Sequence, residues 1–292
     1  MIILQSCAHE RGHLDESRLY GHRYATEVSR RIFCEHCRAA RLADVTAAAD
    51  EVGVAATDQD LHDTAQALEL RDVLDELDAV LRNLAAHLIG VADRHPAEAG
   101  TVAARLAELL RHAERIGQVR VRVVAVRLSG MHPTQAAEDF AGRLGLAGSG
   151  TDGPFGPDLV AEFVSALATV AATLSRVAGE ARSVRLASRA TAGCEQVVTL
   201  ARLAVGQLSP AFAGGNMPWR CVPDVSHYTL AAAEITREVV AGLARRGRLA
   251  VVPPDEVTGP QWEIERLAAP ARRVVAAAEQ WLGDTSGALR CA

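Results

Sequence analysis

The chain of 292 residues contains no lysine, so all 31 of its basic side chains are arginines. Aromatic residues are also scarce, at 4%, whereas 49% of the residues are hydrophobic, mainly alanine, leucine and valine. This composition favours helices packed on helices, because small and straight-chain apolar residues are good helix formers. The length allows a large core in one or two domains.

A strong charge of either sign is missing as well, since the net charge is −5. Without a basic patch we expect no nucleic-acid partner. The first seven residues form too short an apolar start for a signal peptide, and no segment approaches the roughly 18 apolar residues of a membrane span. Six cysteines without regular spacing are typical of reduced thiols. We therefore expect a cytoplasmic protein without a membrane partner.

Two apolar patterns predict long helices, because their residues alternate spacings of four and three, as in bundles. Asp58 or Asp60 is expected to cap the first helix, and Pro157 to open the second. The patterns are Leu70, Leu74, Leu77, Leu81, Leu84 and Leu88, and Phe163, Leu167, Val170, Leu174, Val177, Ala181 and Val184.

Further helices are predicted around 102–116, 194–208, 228–246 and 260–283, with breaks at 145–157, 209–224 and 247–259. The β-branched run 119–128 reads as a helical or extended connector, because helical patterns surround it. The fold prediction is all-α, a bundle of long helices.

Residues 211–224 read AFAGGNMPWRCVPD. They resemble the signature loop of the fumarase/aspartase superfamily, G-S-S-x-M-P-x-K-x-N-P. Met217, Pro218 and Pro223 match that pattern, and Arg220 stands in place of its lysine. The resemblance implies a helical-bundle lyase that acts on a carboxylate.

Other positions of this loop depart from the superfamily pattern. Gly214 and Gly215 stand where the superfamily has two serines, and Val222 replaces its asparagine. In the superfamily the first serine is the base that removes a proton next to a carboxylate. That mechanism cannot operate at Gly214, which has no side chain.

The segment 55–65, AATDQDLHDTA, resembles the superfamily pattern G-A-T-S/T-Q-D-x-x-D-T-A, closest to the carboxymuconate cycloisomerase and adenylosuccinate lyase branch. There a Thr-Ser pair holds the substrate carboxylate. The resemblance implies substrate binding by Thr57, Asp58 and Gln59, and a helix start offers an anion a positive dipole end. The alternative is that Thr57, Asp58 and Asp60 are only helix caps.

The resemblance covers most of the chain, since 18–26, 106–128, 139–193 and 261–265 also agree with it in pattern. The superfamily's middle motif, G-R-T-H-x-Q-x-A-Q-P, is missing after His95. We expect a shortened N-terminal helical segment over residues 1–54 and a long-helix bundle over 55–292. Because few residues follow Trp281, the superfamily's small C-terminal domain is expected to be absent.

Polar groups in and after the 211–224 loop are the remaining candidates for a site. Asn216 is a possible donor to an oxyanion, and Arg220 a bidentate clamp for a carboxylate. Surface or interface packing is the alternative for each of them. The predicted catalytic residues are Cys221, His227 and Tyr228, and the predicted binding residues here are Asn216, Met217, Trp219 and Arg220.

Two short motifs suit metals, but we expect no metal and no cofactor. Residues 9–13 read H-E-x-x-H, although they lie at the chain start with a glycine inside the motif. Residues 34–37 form C-x-x-C inside a predicted helix, where buried helix positions are the favoured interpretation. Together with Cys7, His9 and His13, Cys34 and Cys37 leave open a structural zinc site.

The function hypothesis is a divergent lyase or cyclase of this superfamily, in bacterial specialised metabolism, acting on a carboxylate-bearing small molecule. The resemblance implies a homotetramer in which several subunits complete each active site. The alternative is a catalytically silent homologue that serves as a binding or scaffold subunit, because the serine base and the middle motif are both lost.

Overall fold

The structure is a computed structural model that describes residues 20–94, 99–129, 133–148, 156–183, 188–209, 218–246 and 273–283. Nine helices are named here in chain order. They are α1 (Tyr20–Phe33), α2 (Glu35–Val52), α3 (Asp58–Arg94), α4 (Ala99–Val123), α5 (Thr134–Leu144), α6 (Pro157–Ser183), α7 (Ser188–Gly206), α8 (Pro218–Arg246) and α9 (273–283).

The long helices α3, α4, α6, α7 and α8 form the bundle. Helix α8 is central, because it contacts α1, α3, α6 and α7. Helix α2 packs against α3 and α5 at one side. Among the described residues no strand forms, so the all-α prediction is confirmed.

Both predicted apolar patterns line the core. The α3 leucines from Leu70 to Leu84 are completely buried, and so are Phe163 and Leu167 of α6. Burying one such side chain contributes roughly 1.5–3 kcal/mol before the entropy of folding is counted. The last two members of the α6 pattern, Ala181 and Val184, have side chains outside the described residues.

The expectation that no segment is apolar enough for a membrane span is wrong for α6. Within the described residues, Pro157–Glu180 meets the criteria of length and composition. However, 67% of its apolar window is buried inside the fold, as in a core helix of a bundle, so the pattern is weak support for a span.

Two predicted helix starts need correction. Neither Asp58 nor Asp60 is the N-cap of α3, because the Thr57 hydroxyl accepts the hydrogen bond from the Asp60 N–H. Helix α8 begins at Pro218, ten residues before the predicted start at 228, and it contains Pro223. Pro218 suits the first position of α8, because a backbone N–H in the first helical turn needs no helical partner.

Other predicted boundaries are confirmed. Helix α6 begins at Pro157, and the predicted break begins at Gly145, which follows the last residue of α5 and adopts the left-handed conformation with φ 60°. Residues 124–128 leave α4 as an extended connector, and Val126 N donates to the Ala147 carbonyl at 3.1 Å. The predicted last helix is described only over 273–283, so Trp262 lies outside the described residues.

Candidate functional site

The first turn of α8 carries part of the predicted binding site. Trp219 and Arg220 follow Pro218 in this turn, but their side chains lie outside the described part of the chain. Asn216 and Met217 also lie outside it. Their binding roles therefore stay predictions.

Cys221 is buried in α8, with 2% of its surface exposed. Burial raises the pKa of its thiol, and the nearby Asp224 carboxylate raises it further. A thiol with a raised pKa stays protonated at neutral pH, which suits a proton donor better than a base.

His227 and Tyr228 lie two turns into α8. His227 is buried, with its Nδ1 atom 3.5 Å from the Ser29 hydroxyl of α1. Its ring meets the Tyr228 ring edge-on, at 5.6 Å between centroids. Sequence reasoning missed Ser29, because a single serine in an amphipathic helix carries no signal.

Ser226 and Thr229 flank these two rings on α8. Both side chains are completely buried, and within the described structure neither hydroxyl has a hydrogen-bond partner. Buried hydroxyls are normally paired, and each unpaired one costs about 1–3 kcal/mol. The run 226–229 is therefore a polar interruption of a buried helix that does not serve stability. We call it the α8 polar run.

More polar groups continue along the contact of α8 with α1 and α3. The Tyr24 hydroxyl donates to Glu76 Oε2 at 2.8 Å, and Arg237 binds Glu234 through two hydrogen bonds of 2.7 and 2.9 Å. Burial raises the pKa of Tyr24, and the negative charge of Glu234 raises it further. Proton-carrying groups from three helices thus meet in one region.

At the other matched segment, the start of α3, the polar groups hold the fold. Asp60 accepts from Thr57 N at 2.9 Å and returns its own N–H to the Thr57 hydroxyl, as in a capping box. The buried Asp60 carboxylate also accepts from Ser129 N at 2.8 Å and from its hydroxyl at 2.9 Å. These bonds join α3 to the connector after α4.

Asp58 and Gln59, the other predicted binding residues here, are exposed. The Gln59 amide donates to Asp63 Oδ1 at 2.6 Å, one turn along α3. The carboxylates of Asp58 and Asp60 at one helix start leave little positive potential for a substrate anion.

A surface cavity of about 530 Å³ lies along α4, where Glu162 of α6 also borders it. Arg111, His112 and Arg115 line it, and His112 Nε2 lies 2.8 Å from the Thr173 hydroxyl. Burial lowers the pKa of His112, which favours the neutral imidazole. None of the predicted site residues lines this cavity.

Among the described residues, no group of three or more possible ligands could hold a metal ion. The H-E-x-x-H motif and Cys7 lie outside the described residues. Cys34 is not inside a helix as predicted but separates α1 from α2 as the N-cap of α2.

Comparison of the sequence with family models and with curated proteins gives no match. Comparison of the structure with solved structures does, and the fold described above is that of a known class of helical bundle. The matches extend over about four fifths of this chain.

Three solved structures illustrate the likeness. The 3-carboxy-cis,cis-muconate lactonizing enzyme from Pseudomonas putida has a TM-score of 0.55 and 22% identity, over 79% of this chain and 65% of that one. The fumarate lyase from Mesorhizobium sp. BNC1 has a TM-score of 0.53 and 21% identity, over 80% and 68%. The fumarate lyase:delta crystallin from Brucella melitensis has 0.52 and 16%, over 81% and 67%.

The chain therefore has the helical-bundle fold of these enzymes, and the resemblance found in the sequence is confirmed at the level of the fold. It spans about two thirds of the length of each of the three. At these identities the likeness is one of architecture, and chemistry has to be argued from this chain's own residues.

Proposed function

We propose that this chain is a divergent fumarase/aspartase-superfamily enzyme that acts on a carboxylate-bearing small molecule by elimination, addition or cyclisation. The likeness to a lactonizing enzyme and to fumarate lyases supports this reaction class. The proposal also includes a cytoplasmic location, a homotetramer and a role in bacterial specialised metabolism. In each chain, residues 1–54 would form a shortened N-terminal segment and residues 55–292 the long-helix bundle.

The observation that carries the proposal is the α8 polar run. It follows the matched Met217-Pro218 segment within three helical turns, and it buries two hydroxyls without partners beside His227. Groups that weaken a fold concentrate at sites of function, where a ligand or a reaction step uses them.

In this proposal His227 removes the proton next to the substrate carboxylate, in place of the serine that Gly214 replaces. An imidazole is the side chain best matched to proton transfer near neutral pH. Tyr228 and the protonated Cys221 are the candidate proton donors. Arg220 and Asn216 would hold the carboxylate, with Arg220 as the bidentate partner.

The alternative, a catalytically silent binding or scaffold subunit, is favoured by the start of α3. There the Thr57 hydroxyl and the Asp60 carboxylate serve the capping box and Ser129, instead of facing a ligand. The two proposals differ in whether the protein converts a carboxylate that it binds.

Two experiments in sequence separate the proposals. Di- and tricarboxylates are first screened for thermal stabilisation of the protein. The stabilising compounds are then assayed for formation or loss of a carbon–carbon double bond. The enzyme proposal expects stabilisation and turnover, with turnover lost in His227→Gln and stabilisation kept. Stabilisation without turnover in the wild type supports the silent subunit. No stabilisation by any carboxylate contradicts the enzyme proposal and leaves the scaffold subunit.

A further inference from the structure

The C-x-x-C motif lies at the junction of α1 and α2. Cys34 has an extended backbone, with φ −69° and ψ 150°, and its sulfur accepts a hydrogen bond from the Cys37 N–H at 3.2 Å. Both residues are half-buried free thiols. One thiol thus faces the positive end of an 18-residue helix, with the second thiol on the same first turn.

The two thiols have different surroundings. The neighbouring Cys37 thiol and the backbone N–H of Cys37 lower the pKa of the Cys34 thiol. The same contact raises the pKa of the Cys37 thiol. Arg41 is the cation that acts on the Cys34 thiol, although it also pairs with Asp72 at 2.7 Å. Arg38 is engaged with Glu69 of α3 at 2.7 Å. An attacking thiol and a resolving thiol require this asymmetry.

A purely structural role explains the arrangement poorly. Serine, threonine, aspartate and asparagine are the preferred N-caps, whereas sulfur is a weak hydrogen-bond acceptor. The helix dipole and the N–H stabilise the thiolate form of a cysteine at this position. A reactive role therefore explains a cysteine cap better than a purely structural one.

We propose that Cys34 and Cys37 form a redox-active dithiol that exchanges with low-molecular-weight disulfides. The Cys34 thiolate attacks one sulfur of the disulfide, forms a mixed disulfide and releases one thiol. The Cys37 thiolate then attacks the Cys34 sulfur and releases the second thiol. The two cysteines lose two electrons and two protons, and the disulfide is reduced to two thiols, so the exchange balances.

Trypsin isolates the pair for the test, because cleavage after Arg31 and Arg38 yields the peptide IFCEHCR. The full-length protein is equilibrated in buffers with increasing ratios of oxidised to reduced glutathione, quenched, alkylated and digested. We expect this peptide to become two hydrogens lighter and unalkylated as the ratio rises, and to revert on reduction. Cys221, a buried thiol in the same samples, should form no adduct.

Two variants assign the roles. Cys37→Ser should trap a glutathione adduct on Cys34, about tenfold faster than Cys34→Ser forms one on Cys37. Serine is a preferred N-cap, so Cys34→Ser keeps the start of α2, which circular dichroism checks. Equal rates in the two variants, or a peptide that stays fully alkylated in every buffer, would overturn the proposal. Bound zinc that protects the peptide until a chelator is added would also overturn it.

Discussion

The start of α3 lies in one of the matched segments and the α8 polar run follows another, yet the two regions treat buried polar groups in opposite ways. At α3, the buried Asp60 carboxylate accepts three hydrogen bonds, from Thr57 and Ser129. On α8, the buried hydroxyls of Ser226 and Thr229 have no partner within the described structure.

The difference separates two roles for buried polar groups. A saturated network stabilises the fold, and its residues are explained once the contacts are known. Unpaired buried hydroxyls beside a histidine lower the stability of the fold. Their presence therefore needs another explanation, such as a role in binding or catalysis. The polar groups at the start of α3 are therefore explained by the fold, and the α8 polar run is the better candidate for function.

The largest effect on stability is expected at Asp60. Asp60→Ala leaves the donors of Thr57 and Ser129 without their acceptor and should lower the free energy of unfolding by about 3 kcal/mol. Urea unfolding measures this change. Asp58→Ala is the matched control, because Asp58 is exposed on the same turn, and it should change stability by less than about 0.5 kcal/mol. Similar losses in both variants would break the comparison.

The Asp60 effect should also depend on pH. Burial opposes ionisation, but the hydrogen bonds from Thr57 and Ser129 outweigh it and lower the pKa of this carboxyl. A lowered pKa gives stability that is present above the ordinary aspartate pKa of about 3.9 and is lost as the pH falls through the folded value. The gap between wild type and Asp60→Ala should therefore shrink below pH about 4. A gap that widens on acidification would contradict the network.

The α8 polar run should respond in the opposite direction. Thr229→Val removes a buried unpaired hydroxyl at nearly constant shape and should raise the free energy of unfolding by about 1 kcal/mol. Thr236→Val is the control, because the Thr236 hydroxyl donates to the Ala232 carbonyl at 2.7 Å in the same helix. Stability lost equally in both variants, measured by urea unfolding, would show that Thr229 is paired.

The ion pair of Arg38 with Glu69, between α2 and α3, is an intermediate case, because Glu69 is buried whereas the Arg38 side chain is 39% exposed. Burial raises the pKa of Glu69, and the Arg38 guanidinium offsets this only partly. A raised pKa means that the Glu69 contribution is largest at low pH and is lost as the pH rises through the folded value. The unfolding free energy of Glu69→Gln should thus stay within about 1 kcal/mol of the wild-type value and should gain on it as the pH rises above about 4. A difference independent of pH would exclude this reading.

The smallest effect is expected at the surface. Arg122 and Glu162 form an ion pair in which the arginine side chain is 54% exposed. Exposed pairs contribute little, because solvent screens them. Arg122→Ala should change the unfolding free energy by less than about 0.5 kcal/mol, even at low salt. A loss of unfolding free energy as large as that of Asp60→Ala would mean that the burial of a charged group does not determine its contribution to stability.

Much of the fold was predictable from local patterns. The leucine spacing of α3 and the Pro157 start of α6 were recognised, because periodicity and proline act within a few residues. The start of α8 was placed ten residues late, since a proline inside the first turns looks like a break. Capping by Thr57 was only the alternative interpretation, because the resemblance assigned this residue to substrate binding.

The candidate site was less predictable, because its contacts join distant parts of the chain. His227 was selected by residue type, but its neighbour Ser29 lies 198 residues earlier. Likewise Asp60 and Ser129 are 69 residues apart, and no spacing rule links them. Whether Ser226 and Thr229 are buried depends on the packing of α8 against its neighbours, which a single helix pattern does not contain.

The most direct test of the proposed base is proton exchange followed by NMR. A carboxylate that stabilises the protein is incubated with it in heavy water, and deuterium incorporation next to the carboxylate is measured. We predict incorporation with the wild type and its loss in His227→Gln, with the compound still bound. Incorporation that His227→Gln leaves unchanged, or no incorporation by the wild type with any stabilising carboxylate, would contradict the assignment of His227 as the base.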